Sequence, residues 1–597
     1  MKTVSPLPLL ALTLAALGVS PLSAATQIWD TTTVSGIVNG SGTWDAGTTA
    51  NWSATTAGSN PLQTWTSGNT AAFVIGASDN NTVTLSGSVT IGGMAVTGTT
   101  SSGTTTITGG TSLVLGGDQT WSSSALRRND NGASIRVNSV VSGTGNLVFD
   151  GRGLGKTTAQ ANADQRVTFS LGGDNTFSGS VSVTKGAVLN LDYTSSNGSR
   201  LDDSSDLILK GGSLILSGGS NVVETVGATY LAGGANTIFK GPSNTGAAIN
   251  SIALGAITRG EGGTLDITNA AGGVARTSNL TVNGTLGGWM TVGGNRFATV
   301  SSGLIASTAG SNNNTFSTWL AANNVAINAA VSGSGDKTIN TLRAATSGAL
   351  TLSSGTLTVA SGGIIGDGGS ISGGNLTSGY STGELFVHTP SALSIGSSII
   401  DNAVASTKTI LVKAGVNTLT LTGASTHTGG TIINSGTLAL GSGASLGSAN
   451  ITMDGGTFTM DAASSITFNI DGTGIGQFDN FKSNLGTATL AGTLYFKFGS
   501  KLTGSWQLFS LADADSTQPI FGNSIVITGA FGNVTLTKNS GIWTGSDLTS
   551  GALFTFTEST GILNVSGSSI PEPTTTAIIL GLSAVACLAF RRRVGER

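Results

Sequence analysis

Short stretches that alternate aliphatic with small polar residues recur along most of the chain. In Thr356-Leu357-Thr358-Val359, Thr418-Leu419-Thr420-Leu421 and Thr437-Leu438-Ala439-Leu440 every second side chain is aliphatic. That spacing puts Leu357 with Val359, Leu419 with Leu421, and Leu438 with Leu440 on one side of a strand. Gly, Ser and Asn punctuate the stretches, and the strand signal commonly returns after about 8–12 residues, as in a sandwich, barrel or solenoid. No amphipathic helical period stands out, so an all-β chain is predicted and a βαβ fold is disfavoured.

Internal similarity favours the solenoid. Asn175-Thr176-Phe177-Ser178-Gly179-Ser180-Val181 runs on through Lys185-Gly186 to Leu189 and Leu191. Ser425-Thr426-His427-Thr428-Gly429-Gly430-Thr431 runs on through Ser435-Gly436 to Leu438 and Leu440. A second pair matches Val141-Ser142-Gly143-Thr144-Gly145-Asn146 to Val331-Ser332-Gly333-Ser334-Gly335-Asp336. One such unit buries only two or three aliphatic side chains, and stacking is what would join them into a continuous core.

These repeats resemble the autotransporter-associated β-strand repeat, with Ser425 and His427 standing where Asn and Tyr are common. The stretch Leu286 to Val300, and the opening with Ile28-Trp29-Asp30, Thr43-Trp44-Asp45 and Ala50-Asn51-Trp52, resemble parts of large exported proteins of this kind. The resemblance implies a right-handed parallel β-helix that serves as a passenger or stalk outside the cell. No C-terminal membrane-barrel pattern follows the repeats. About 400 repeat residues at about 22 per coil predict about 18 coils, a rod of about 85 Å.

Both ends carry export signals. Lys2, the apolar run Leu7 to Val19, and Ser23-Ala24-Ala25 read as a secretory leader cleaved between Ala25 and Thr26. At the other end Pro571-Glu572-Pro573 precedes an apolar helix over 574–590 and then Arg591-Arg592-Arg593. Seventeen residues make about 25 Å of helix, at the short limit for a bilayer core of about 30 Å. The arginines hold that end in the cytoplasm. This tripartite tail resembles the PEP-CTERM sorting signal of bacterial exopolysaccharide-associated proteins, which an exosortase cleaves near the Pro-Glu-Pro. The resemblance implies an exosortase-like partner, transient inner-membrane anchoring, and release to the cell surface or matrix, where exopolysaccharide is a candidate partner.

The chain thus divides into a leader (1–25), a Trp-containing cap (26–110), β-helix repeats (111–470), a C-terminal antiparallel β-module (471–569) and the sorting tail (570–597). Aromatics concentrate in the module, among them Phe496, Phe498, Trp506, Trp543, Phe554 and Phe556. They are expected to pack a cap over the end of the helix rather than to form a carbohydrate platform, because an uncovered parallel edge recruits other chains.

Composition narrows the chemistry. Only 9% of the 597 residues are charged and Gly numbers 91, while Pro numbers 9 and the net charge is −3. Without a basic excess, nucleic acid is not an expected partner. The single Cys587 lies in the apolar tail, so the exported body has no disulfide. Asp150 to Thr157 imitates a phosphate loop, but no helix pattern follows it. His388 and His427, the only histidines, lack metal spacing, and His427 fills the aromatic position of its repeat. Asp202-Asp203-Ser204-Ser205-Asp206 and Asp513-Ala514-Asp515 read as solvated turns. No catalytic, metal or cofactor site is assigned, and no cofactor is expected. The expectation is a non-catalytic scaffold or adhesin of a Gram-negative envelope or matrix. The alternative, a polysaccharide-active β-helical enzyme, comes from fold analogy alone.

Overall fold

Strand Thr437–Leu440 buries Leu438 and Leu440 and leaves Thr437 and Ala439 half-exposed; Thr418–Leu421 does the same with Leu419 and Leu421. The strands stack in parallel register, Leu419 on Leu438 and Leu438 on Phe458. A coil here takes about 20 residues and adds about 4.8 Å to the stack. The computed structural model describes residues 24–567 except 59–60, 77–78, 98–102, 124–133, 152–167, 220, 242–249, 269–273, 309–310, 512–517 and 523. The leader up to residue 23, the Asp513-Ala514-Asp515 cluster, most of the phosphate-loop look-alike and the whole sorting tail lie outside the described residues. Among those described, no helix is long and apolar enough to cross a membrane.

The parallel ladders are those of a β-helix, but they form two columns instead of the single rod expected. The first runs from strand Thr26–Trp29 to strand Leu304–Ser307. Its inward ladder stacks Ala71, Met94, Trp121, Phe149, Val183, Leu209 and Leu231. Antiparallel pairing ends it: Met290–Val292 pairs with Arg296–Ser301, which pairs with Leu304–Ser307. Gly293 and Gly294, at φ +66° and +69°, make the tight reversal that an L side chain resists. The edge on which another parallel coil would be laid is thereby occupied.

The second column starts at strand Ser311–Asn312, which pairs in parallel with Asn324–Ile327 across a short 3₁₀ turn, Phe316–Thr318. It stacks Val325, Leu342, Ile364, Val387, Lys413, Ile433 and Met453 in one ladder. From coil to coil, the cross-column contacts pair earlier residues of the first column with later residues of the second. Residues 283–288 meet 324–361 (Asn283 with Asn324, Thr285 with Asn340, Gly288 with Ser361), Gly262 meets Glu384 and Asn434, and Gly233 lies against Asp454. The columns therefore lie side by side and run in opposite directions.

The outer ends are closed differently. At the first, Thr26–Trp29 pairs antiparallel with Ala50–Ser53, and four buried tryptophans (Trp29, Trp44, Trp52 and Trp65) pack with Phe73. At the second, parallel pairing continues past residue 470, where the sequence reading starts an antiparallel module. Ser465–Ile470, Thr493–Phe498 and Ser524–Gly529 still stack in parallel. The longer turns between those strands hide the coil period. The antiparallel sheet is built from Gly504–Gln507, Ile562–Ser566, Ala552–Thr557, Ile542–Asp547 and Thr537–Asn539. Its Phe554 and Phe556 rings pack on Phe498, Phe496, Phe509 and Phe521 at 5.3–6.4 Å between centroids. These rings are buried, so they serve core packing.

Candidate functional site

The two similar corner stretches do the same job in the two columns. Asn175 is buried: its Oδ1 accepts from the Val141 amide at 2.8 Å and its Nδ2 donates to the Arg200 carbonyl at 2.9 Å. One side chain thus ties the coil before it to the coil after it. Ser425 stands at the matching place, and its Oγ accepts from the Ile399 amide at 3.4 Å. Backbone bonds repeat as well, Thr176 to Val141 and Thr426 to Ile399. Phe177 and His427 fill the same interior position, 1% and 0% exposed. The glycine that follows is required by close approach. A Cβ at Gly179 would lie 2.0 Å from the Gly145 carbonyl oxygen, and one at Gly429 would lie 2.5 Å from that of Thr409. The other matched pair agrees, since Asn146 accepts from the Ser180 amide and Asp336 from the Thr356 amide, each on the next coil.

The seam between the columns gathers the ionisable groups that the alternation pattern does not predict. Strands Glu384–His388, Ile410–Ala414 and Gly430–Ile433 are buried at every position. Leu385, Leu411 and Ile433 face their own column's core, whereas Phe386, Ile410, Val412 and Ile432 join the core of the first. Arg259 reaches across from the first column. Its Nη2 and Nη1 bond Glu384 at 2.6 and 3.2 Å, and its guanidinium lies 5.0–5.7 Å from the ring centres of Phe386, Trp289 and Tyr380. The Gly262 amide and the Thr382 hydroxyl donate to the same carboxylate at 2.7 and 2.6 Å. Burial acts to lower the Arg259 pKa, but the bond to Glu384 and its charge outweigh burial, with Tyr380 adding, and the pKa is raised. Backbones also touch here: a Cβ at Gly288 would lie 2.4 Å from the Gly363 nitrogen.

Burial pushes His388 down to about 4, so the ring is neutral near pH 7, and its Nε2 bonds the Gly288 carbonyl at 2.7 Å across the seam. Burial likewise pushes His427 down to about 4; its Nε2 lies 3.3 Å from the Thr431 hydroxyl, and its Nδ1 is buried with no hydrogen-bond partner among the described residues. Lys413 stands in the interior ladder between Val387 and Ile433. Its ammonium position donates to the carbonyls of Ala414, Gly415 and Ser435 at 2.9–3.1 Å, and burial lowers its pKa to about 7. In the first column the fully buried Arg200 bonds Asp174 at 2.8 Å and stacks on Tyr193, while Glu224 accepts from the Arg200 and Leu201 amides. Every one of these groups is turned onto the protein's own backbone or a neighbouring coil. Among the described residues no three His, Cys, Asp or Glu side chains gather as a metal site.

Ala25 and Thr26 lie at the start of the first strand. The Ala25 carbonyl accepts from the Thr70 amide at 2.9 Å, and Thr26 pairs with Thr70. A cut between them keeps the Thr26–Thr70 pairing but removes the carbonyl that accepts from the Thr70 amide. Pro571, Glu572, Pro573, Arg591, Arg592 and Arg593 lie outside the described residues. Sequence reasoning missed Arg259, Glu384 and Lys413. The available signal was the loss of alternation around them in Glu384-Leu385-Phe386-Val387-His388 and Ile410-Leu411-Val412-Lys413-Ala414.

Two stretches of the chain are similar to a known family of repeats. A family model described as Passenger-associated-transport-repeat matches residues 168–190 and 411–440. The chain carries passenger-type transport repeats. The two matched stretches contain the corners built on Asn175 with Phe177 and on Ser425 with His427, one in each column. Such repeats imply an exported, surface-associated protein. No curated protein matches the chain.

Proposed function

We propose that this passenger-repeat protein is a non-catalytic scaffold or adhesin of the cell surface or extracellular matrix. The observation that carries the reading is the use made of its buried charges. Arg200, Arg259, Glu384 and Lys413 each bind backbone or an opposite charge inside the fold, the arrangement of a rigid body and not of a poised reaction centre. In this reading the Pro571-Glu572-Pro573 tail is held briefly in the inner membrane through 574–590, cut by an exosortase-like enzyme, and lost on release. Proline disfavours helix at itself and at its predecessor, so the segment offers a protease an extended grip.

Incubating the mature protein with the producing strain's own matrix polysaccharide tests the first part. An unchanged polymer length is expected, and reproducible release of oligosaccharides overturns it in favour of a polysaccharide-active enzyme. Intact-mass measurement of protein recovered from the native cell surface tests the second. A terminus near Pro571 is expected, and retention of Arg591 to Arg593 makes the tail a permanent anchor.

A further inference from the structure

The loops that lead into five successive strands of the second column's seam sheet lie side by side and wall a groove of about 430 Å³. Thr382 precedes Glu384–His388, Lys408 precedes Ile410–Ala414, and Thr428 precedes Gly430–Ile433. Asn450 precedes Ile451–Met453, and Phe478 precedes Phe481–Ser483. Because parallel strands stack at about 4.8 Å, five loops set a trough of about 20 Å along the column. A trough of that form suits an extended chain.

The walls say which chain. They present the amide of Asn450, the half-buried ring of Phe478 and the side chains of Thr382, Thr407 and Thr428, of which the Thr382 and Thr428 hydroxyls donate to Glu384 and Asp401 and keep their lone pairs for a ligand donor. Their one ammonium, Lys408, is balanced by the Asp479 carboxylate. A nucleic acid or acidic glycan would need a net positive lining. A peptide adding as a strand would need an unpaired sheet edge, and the strands behind these loops are paired on both sides.

Two further observations mark the groove as more than a crease. The Thr407 hydroxyl oxygen is buried with no hydrogen-bond partner among the described residues, an unmet demand that rotation of its side chain toward the groove would let a ligand hydroxyl satisfy. Ala449, in the same wall, sits at φ +102°, well away from the +47° to +58° of the other non-glycine residues with positive φ. Asp479 holds the Ala449 amide at 3.1 Å, and backbone strain of this kind collects at binding sites. The same Asp479 oxygen also accepts from the Asn469 amide and side chain, which makes it a positioning residue for the wall.

We infer that this trough binds a neutral, hydroxyl-rich polysaccharide chain lying along the column axis, with one sugar ring on Phe478 and its hydroxyls on Thr407 and Asn450. The inference rests on the reading of the protein as a non-catalytic matrix scaffold and names what that scaffold holds. The test is electrophoresis of the mature protein through gels containing dextran, laminarin, galactomannan or alginate, with the polymer's length measured afterwards. Retardation by at least one of the three neutral polymers is expected, weakened at least tenfold in Ser381→Arg and Phe478→Ala. Ser381 is exposed on the groove wall, so its variant fills the trough without disturbing the core. No retardation by any neutral polymer, retardation by alginate alone, or unchanged retardation of Ser381→Arg overturns the binding site, whatever Phe478→Ala does. Shortening of a bound polymer overturns the non-catalytic reading instead and leaves the binding site standing.

Discussion

Glu384→Gln removes the charge that Arg259 meets across the seam while keeping the side chain's size. Glu384 is 1% exposed and Arg259 10% exposed, so the cation left behind has little water to turn to. Stranding one member of a buried pair costs about 3–5 kcal/mol. The three rings around the guanidinium offset about 1 kcal/mol of that, leaving about 2–4 kcal/mol. At 1.4 kcal/mol per tenfold, the population with an open seam rises about 30- to 700-fold. The reporter is amide hydrogen exchange at Gly288, whose N–H donates across the seam to the Ser361 carbonyl at 3.1 Å. The control is the Leu147 amide, bonded to the Ser180 carbonyl within the first column. Exchange at Gly288 is expected to accelerate by the factor above while Leu147 holds steady. The paired variant Arg259→Met with Glu384→Met, which removes both charges, is expected to restore most of the protection. Acceleration at Gly288 of less than threefold, or a paired variant no better protected than Glu384→Gln, refutes the argument.

Three further outcomes follow from the same geometry. His388 and His427 titrate at about 4 when folded against an ordinary 6.5, so the unfolded chain binds more protons in that window. Stability should fall as pH drops from about 6.5 to about 4, and thermal melts of His427→Phe should show a shallower acid limb. That variant should also be at least as stable as the native chain at pH 7, since Phe177 fills the matching position and the unpartnered Nδ1 is removed. Lys413, at about 7 when folded against 10.5, makes stability fall as pH drops from about 10 to about 7; the Lys413→Met melting profile should be flat there. Gly179→Ala and Gly429→Ala should each cost about 1–3 kcal/mol by driving a Cβ into a neighbouring coil's carbonyl. Denaturant midpoints equal to the native value would remove that reason for the repeat's glycine.

Within one coil the sequence is nearly self-sufficient. Alternation in Thr418–Leu421 and Thr437–Leu440 declares the inward face, because the strand period is two and parallel stacking repeats it from rung to rung. The corners are legible too: Asn175 with Gly179 and Ser425 with Gly429 recur because each coil asks the same hydrogen bonds and the same close approach of its neighbour. Neither the number of columns nor what covers their outer faces is local in this sense. Leu385-Phe386-Val387 and Ile410-Leu411-Val412 announce strands buried on both faces, but an apolar run does not name the surface that buries it. Arg259 and Glu384 are 125 residues apart, and each alone looks like a surface charge in a Gly-rich turn or at a strand's start. Tertiary structure decided the rest: antiparallel pairing after Met290–Val292 ended one ladder and brought the next back beside it. Only that return set a guanidinium against a carboxylate and closed the seam over both.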